Sequence, residues 1–142
     1  LAYGANYDQV MEAPVTIALF TDTDLQRRAR KIARVGGVKN FTDEQLQYFM
    51  QNLPAEYARY NEQQISDYLA LNAGLVAMNL VLALTDQGIG SNIILGFDKS
   101  KVNEVLEIEE RFRPELLITV GYAAEKVEPS YRLPVDEIIE KR

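Results

Sequence analysis

The longest uncharged stretch of the chain organises the reading of everything around it. Between Asp67 and Asp86 no charged residue occurs for 18 positions, Tyr68 to Thr85. Within Ile65 to Asp98 the pattern predicts one long helix, a glycine stop at Gly88 and Gly90, and a short apolar segment ending in a second glycine turn at Gly96. Eighteen helical residues span roughly 27 Å at about 1.5 Å each, near the thickness of a bilayer core. The content argues against a membrane span. Asn72 and Asn79 sit seven apart on one face, Gly74 and several alanines dilute the hydrophobicity, and neither flank is basic. A helix apolar nearly all round belongs in a protein core or an interface.

Shorter patterns flank this helix. Tyr3, Tyr7, Val10 and Met11 recur at helical spacing, predicting a helix over Ala2 to Glu12 that ends before Pro14. Val15 to Phe20 is a nearly continuous apolar run with β-branched residues, read as a strand buried on both faces. Thr23 to Val35 reads as a helix with Thr23 or Asp22 as N-cap, an apolar stripe of Leu25, Ala29, Ile32 and Ala33, and a stop at Gly36-Gly37. A capping box from Thr42 to Gln45 opens the next helix, with a buried stripe of Leu46, Phe49, Met50 and Leu53. Pro54 then opens a short segment rich in tyrosine. Asn92 to Leu95 is a weak strand, Asp98 or Ser100 caps a short helix, and Leu116 to Tyr122 is a second strand of buried type. The tail from Ala123 to Arg142 is polar except for Tyr131 to Val135 and Ile138-Ile139, so it needs another surface to lie on.

These elements predict a single α+β or α/β domain over residues 1–142. Two confident strands are too few for a self-sufficient sheet, so further strands come from preceding residues or from a partner chain. Leu1 is not an initiator methionine, and the chain reads as starting inside an element. No signal peptide is apparent.

Composition narrows the chemistry. The chain is 47% hydrophobic and 25% charged, as in ordinary globular proteins. Its net charge of −6 speaks against a nucleic-acid partner, because only Arg27 to Lys31 is locally basic, and a solvated helix face explains that run. The absence of cysteine removes disulfides and thiolate nucleophiles and fits a reducing compartment, with the cytoplasm as the expected location. The absence of histidine removes the usual zinc sites, Ser-His-Asp triads and histidine bases. Chemistry therefore falls to carboxylates, tyrosines, backbone groups or a cofactor. The Gly88 to Asn92 turn neither follows a strand nor opens a helix, so it is not a dinucleotide fingerprint or P-loop. Gly96, between Leu95 and Phe97 at a strand end, lets a flat ligand approach the backbone closely.

The ordered series NYDQVMEAPVTIALF, a long apolar helix, ALTDQGIGSNIILGFD, KVNEVL, PELLITVGY and YRLP resembles the FMN-dependent nitroreductase family across essentially the whole chain. The resemblance implies an α+β homodimer with a central sheet wrapped by helices. It also implies a long interface helix in which Ala70, Ala73, Gly74 and Ala77 permit close approach, and a C-terminal tail exchanged with the partner. It implies FMN as cofactor, with NADH or NADPH as electron donor. The reaction would be a two-step hydride transfer through flavin N5 to a nitroaromatic or quinone-type acceptor, with no membrane involved.

Matched residue by residue, Asn6 and Gln9 bond the flavin ring edge, Gln9 standing where many members carry lysine or arginine. Ile93, Ile94, Leu95 and Gly96 lie against the flavin, with a backbone N–H of Leu95 or Gly96 reaching N5. Leu95 stands where some relatives have glutamate. Arg132 binds the phosphate, with Ser130 where relatives have a lysine. Phe49 and Met50 line the substrate site. The family's N-terminal basic segment and its Pro-Ser-x-x-Asn-x-Gln-Pro loop have no counterpart in this sequence. A non-catalytic flavin-binding or dimerisation module of the same fold is the alternative.

Overall fold

The computed structural model describes residues 1–38, 40–125 and 130–140. Its centre is a three-stranded antiparallel sheet in the order β1-β3-β2, formed by β1 (Val15–Asp22), β2 (Gly90–Ile94) and β3 (Phe112–Gly121). The middle strand β3 is buried from Pro114 to Thr119. The edge strand β1 is only half-buried, with Val15 52% exposed. The sequence pattern therefore overstates the burial of β1, because an apolar run does not distinguish a central strand from an edge whose outer side is open.

Pro114 lies inside β3, where a missing N–H would ordinarily break the ladder. Two features make it tolerable. β2 pairs only as far down as Leu117, and the register against β1 slips at Leu19/Phe20, passing from Leu116 to Pro114. Glu115 is the residue passed over in this bulge. Its buried carboxylate accepts from Thr21 Oγ1 at 2.6 Å and from Arg113 Nε at 2.7 Å.

Helices cover both faces of the sheet. On one face, α1 (Ala5–Glu12) and α6 (Lys99–Val105) flank a cluster of Ile94, Phe97, Val102 and Leu117, with Val10 and Ala18 packed against it. On the other face lies α5 (Glu62–Asp86), whose Ala77 packs with Leu116 and Ile118 of β3. Arg113 reaches from β3 to Ser66 of α5 through Nη1 at 2.8 Å and Nη2 at 3.1 Å.

α5 opens with Asn61 and Gln64 in a reciprocal capping box. It closes in a Schellman motif, in which Gly88 N–H donates to the Thr85 carbonyl and Ile89 N–H to the Leu84 carbonyl. The left-handed φ of 71° at Gly88 explains the glycine, as the sequence leads one to expect. Burial along α5 differs from that expectation. Only Leu69, Ala73 and Ala77 are buried, while Leu71, Leu75, Val76, Met78 and Leu82 are 49–65% exposed. The strip of small residues is also divided. Ala77 packs against the chain's own sheet and Ala73 is buried, whereas a Cβ on exposed Gly74 would meet nothing within 4 Å.

The remaining helices form a satellite layer of α2 (Leu25–Val38), α3 (Asp43–Gln47), a π-helical turn (Tyr48–Asn52) and α4 (Leu53–Tyr57). α2 is capped by Asp24, whose Oδ1 accepts from Arg27 N–H at 2.8 Å, rather than by Asp22 or Thr23. It runs through Gly36 and Gly37 to Val38, and the left-handed residue follows later, at Asn40 with φ 59°. Thr42 and Gln45 make the expected capping box. Met50, assigned to a buried stripe, is 47% exposed because the π-helical turn rotates it off the helical register. Asp98 caps α6 through Ser100 N–H. Beyond β3, α7 (Val135–Ile138) and its flanks from Ser130 to Glu140 are exposed throughout.

Candidate functional site: the helix α1 and strand β2 junction

The N-terminal residues form a clasp with the loop after β2. Tyr3 N–H donates to the Gly96 carbonyl at 3.1 Å, Asp98 N–H donates to the Leu1 carbonyl at 2.8 Å, and Ala2 bridges Phe97. Gly4, at φ 53°, turns the chain into α1. The first turn of α1 then lies over the loop. Asn6 Nδ2 donates to the Gly96 carbonyl at 3.3 Å, and Gln9 Oε1 accepts from Asn92 Nδ2 at 2.6 Å.

These bonds orient both amides. With Nδ2 engaged, Asn6 has its Oδ1 acceptor available. With Oε1 engaged, Gln9 has its Nε2 donors available. An acceptor and a donor thus sit about one helical turn apart beside an exposed loop, complementary to an imide edge that presents N–H next to C=O. Among the described residues, neither the Leu95 nor the Gly96 N–H has a hydrogen-bond acceptor, and Leu95 is 67% exposed.

The space over Gly96 is already in use. A Cβ added there would lie 2.5 Å from Asn6 Nδ2. The close approach that Gly96 permits is therefore made by this chain's own asparagine, where the sequence reading expects a flat ligand. Glycine is needed so that Asn6 can reach the loop. Ile93 is 39% exposed, whereas Ile94 points the other way into the core at 2%, as strand alternation requires. Any role of Ile94 at the site is carried by its backbone.

The structure brings Asn6, Gln9, Ile93, Leu95 and Gly96 together, and it adds Asn92, which sequence reasoning missed. The available signal was a polar residue at a mid-strand position facing Gln9 across 83 residues of chain. Phe49 and Met50 stand elsewhere, on the π-helical turn packed against α2, α3 and α4. Phe49 stacks on Phe41 at 5.4 Å and meets Tyr48 edge-on at 5.5 Å. π-helical turns recur at functional sites. Arg132 is exposed and donates to the carbonyl of its neighbour Tyr131. Within one chain, Phe49, Met50 and Arg132 are not joined to the Asn6–Gly96 junction by any described contact.

Tyr57 and Tyr68 place their hydroxyls 3.2 Å apart, with Tyr60 in ring contact with both. Burial, and then the bond to Tyr68, pushes the Tyr57 phenol well above its ordinary range. Among the described residues, no group of His, Cys, Asp and Glu could hold a metal ion.

Comparison with known proteins places this architecture. The model of the nitroreductase family matches residues 4–122. A Streptococcus pyogenes protein provisionally named NAD(P)H nitroreductase, Spy0809, is 64% identical over 97% of this chain and 68% of its own length. The crystal structure of a nitroreductase family protein from Streptococcus pneumoniae TIGR4 superposes with a TM-score of 0.96 at 87% identity, covering 100% of this chain and 71% of that one. A nitroreductase-type structure from Exiguobacterium sibiricum, solved in complex with FMN, superposes with a TM-score of 0.87 at 25% identity, covering 97% and 67%. The chain belongs to the nitroreductase family.

Proposed function

We propose that the protein is an NAD(P)H-dependent flavin oxidoreductase that binds FMN at the α1–β2 junction. The observation that carries the reading is the polarity of that junction, with Asn6 Oδ1 and Gln9 Nε2 left over as acceptor and donor beside the open Leu95 and Gly96 N–H groups. The flavin's uracil-like edge offers the complementary N–H and C=O groups. FMN held there would supply hydride chemistry between a nicotinamide donor and a nitroaromatic or quinone-type acceptor. The chain's own task is to hold and orient. Asn6 and Gln9 would hold the ring edge, and the backbone N–H groups of Leu95 and Gly96 would be the donors offered to the ring. No acid or base side chain is required, in keeping with a chain that lacks histidine and cysteine.

The same reading makes the protein a homodimer. Leu71, Leu75, Met78 and Leu82 form an exposed apolar stripe along α5, the kind of surface that marks an interaction site. A second copy would cover it, and the exposed tail around Arg132 would lie on the partner. In such an assembly Arg132, Phe49 and Met50 reach a site that one chain alone does not complete.

Reconstitution with FMN followed by steady-state NADPH and NADH oxidation, with menadione or nitrofurazone as acceptor, tests the proposal. Flavin retained through gel filtration together with acceptor-dependent turnover supports it. Flavin without turnover supports the non-catalytic module, and purified protein that takes up no flavin overturns the assignment.

A further inference from the structure

A second feature lies on the far side of the sheet, away from the α1–β2 junction. A groove of about 1100 Å³ opens between α2, α5 and the ends of β1 and β3. Its lining is strongly basic, with Arg27, Arg28, Arg30, Lys31 and Arg34 of α2 and Arg111 at the foot of β3. Asp22 is the acid among the described lining residues, and it is paired with Arg111 Nη1 at 3.5 Å. No ion pair among the described residues holds any of the five α2 cations. In a chain of net charge −6, such a one-sign concentration makes a local field that attracts anions.

The groove differs from a merely solvated helix face in two ways. Arg28 and Lys31 share a helical face with Ile32 and Val35, at i, i+3, i+4 and i+7, so that face is basic and apolar at once. Ile32, Val35 and Val76 are 38–54% exposed there, and Phe41 and Phe112 also line it, Phe41 stacked on Phe49 and Phe112 lying under Arg111. Arg111 is also incompletely satisfied. Its Nε and Nη1 are shielded from solvent and make no well-formed hydrogen bond, being held only by charge to Glu109 and Asp22 while the guanidinium lies 4.3 Å over the Phe112 ring. Apolar surface from Ile32, Val35 and Val76 beside clustered cations suits a ligand that pairs a base with phosphate. Phe41, which lines the groove, also stacks on Phe49 at 5.4 Å, so the groove runs up to the turn that carries Phe49 and Met50.

We propose that this groove binds the phosphorylated adenosine end of NADPH, with Arg28, Lys31 and Arg111 selecting the 2′-phosphate and thereby favouring NADPH over NADH. The proposal rests on the oxidoreductase reading for its role in turnover, though the groove's ligand chemistry can be measured apart from turnover. Calorimetric titration of the full chain with 2′,5′-ADP, 5′-AMP and inorganic phosphate is the direct test. Expected are binding of 2′,5′-ADP about tenfold tighter than 5′-AMP, a weakening with added NaCl, and a loss of about tenfold in the Arg28→Gln/Lys31→Gln double variant. These exposed helix positions tolerate glutamine, and circular dichroism verifies the fold. In turnover, the ratio of kcat/KM for NADPH over NADH falls by a similar factor in the same variant. Equal binding of 2′,5′-ADP and 5′-AMP, displacement by inorganic phosphate at matched concentration, or an unchanged donor ratio would overturn the proposal. Absence of turnover with either donor in the wild type would sink the oxidoreductase reading instead, while the titration still decides the groove.

Discussion

Replacing Gly96 by alanine tests the α1–β2 junction at its tightest point. The new Cβ would stand 2.5 Å from Asn6 Nδ2, whereas ordinary contact begins at 3.4 Å, so the amide must retreat by about 0.9 Å. The backbone itself raises no objection, because Gly96 is not among the residues with a positive φ. Retreat breaks the 3.3 Å bond from Asn6 Nδ2 to the Gly96 carbonyl, a loss of about 0.5–1.5 kcal/mol. It also removes Asn6 Oδ1 from its place beside the open loop donors. FMN affinity should fall by up to about tenfold, since 1.4 kcal/mol corresponds to that factor. Fluorescence titration of FMN gives the affinity, and urea unfolding gives the stability change. The mechanism makes a sharper demand in a double-mutant cycle. In an Asn6→Ala background there is no amide to displace, and Gly96→Ala should then cost almost nothing. An equal penalty in both backgrounds would refute the steric argument.

Three further predictions follow from the structure. Gly88→Ala should lower stability in urea by about 1–2 kcal/mol, the cost of a left-handed alanine, because a Cβ there meets nothing within 4 Å and adds no clash. Gly88→Asn should recover part of that loss. Glu115→Ala strips the partner from the Arg113 guanidinium, which keeps Ser66 and is itself 30% exposed, so the expected destabilisation is about 2–3 kcal/mol rather than that of a fully buried pair. An unchanged urea midpoint would show that the bulge does not depend on this carboxylate. Asp98 caps α6, and the Ser100 hydroxyl bond, with the Lys101 interactions behind it, holds its carboxyl below the usual range. A depressed folded pKa contributes stability that is present above the unfolded value of 3.8 and lost as pH falls through the folded value. Asp98→Asn should therefore flatten the acid limb of a thermal-melt series from pH 6 to pH 3 and leave the slope near neutrality alone.

The elements most legible in the sequence were those whose cause is local. The charge gap from Tyr68 to Thr85, the box at Thr42 and Gln45 and the glycine stop at Gly88 each act within one or two turns, and each is found in place. The failures have non-local causes. Gly36 and Gly37 look like a stop, yet α2 continues through them, a propensity cost of about 1 kcal/mol per glycine not being enough by itself to end a helix. The last strand is expected from Leu116, but a bulge against β1 and the early end of β2 accommodate Pro114 and let it begin at Phe112. The Gln9–Asn92 bond joins residues 83 positions apart, and no periodicity announces it. The family resemblance supplied Asn6, Gln9 and Gly96, while only the coordinates show that two of these residues depend on each other sterically.

That dependence also explains how lightly the junction is built. α1 contains no buried residue, and a cavity of about 250 Å³ lies beneath it, lined by Tyr7, Val10, Met11, Thr16 and Leu117 among others. Apolar packing alone therefore holds α1 weakly, and its position comes from the backbone clasp at Leu1, Ala2 and Tyr3 and from two side-chain amides. The Gly96 carbonyl accepts from both Tyr3 N–H and Asn6 Nδ2, so one loop oxygen fixes both the approach to the helix and its first turn. An element tied by a few exposed hydrogen bonds opens at lower free energy than the sheet it lies on. Hydrogen exchange should show α1 amides opening well below the global unfolding free energy, with β3 amides at the global limit, and bound FMN should raise α1 protection most. Protection of α1 equal to that of β3 in the flavin-free protein would mean that its packing, and not the Gly96 clasp, sets the site.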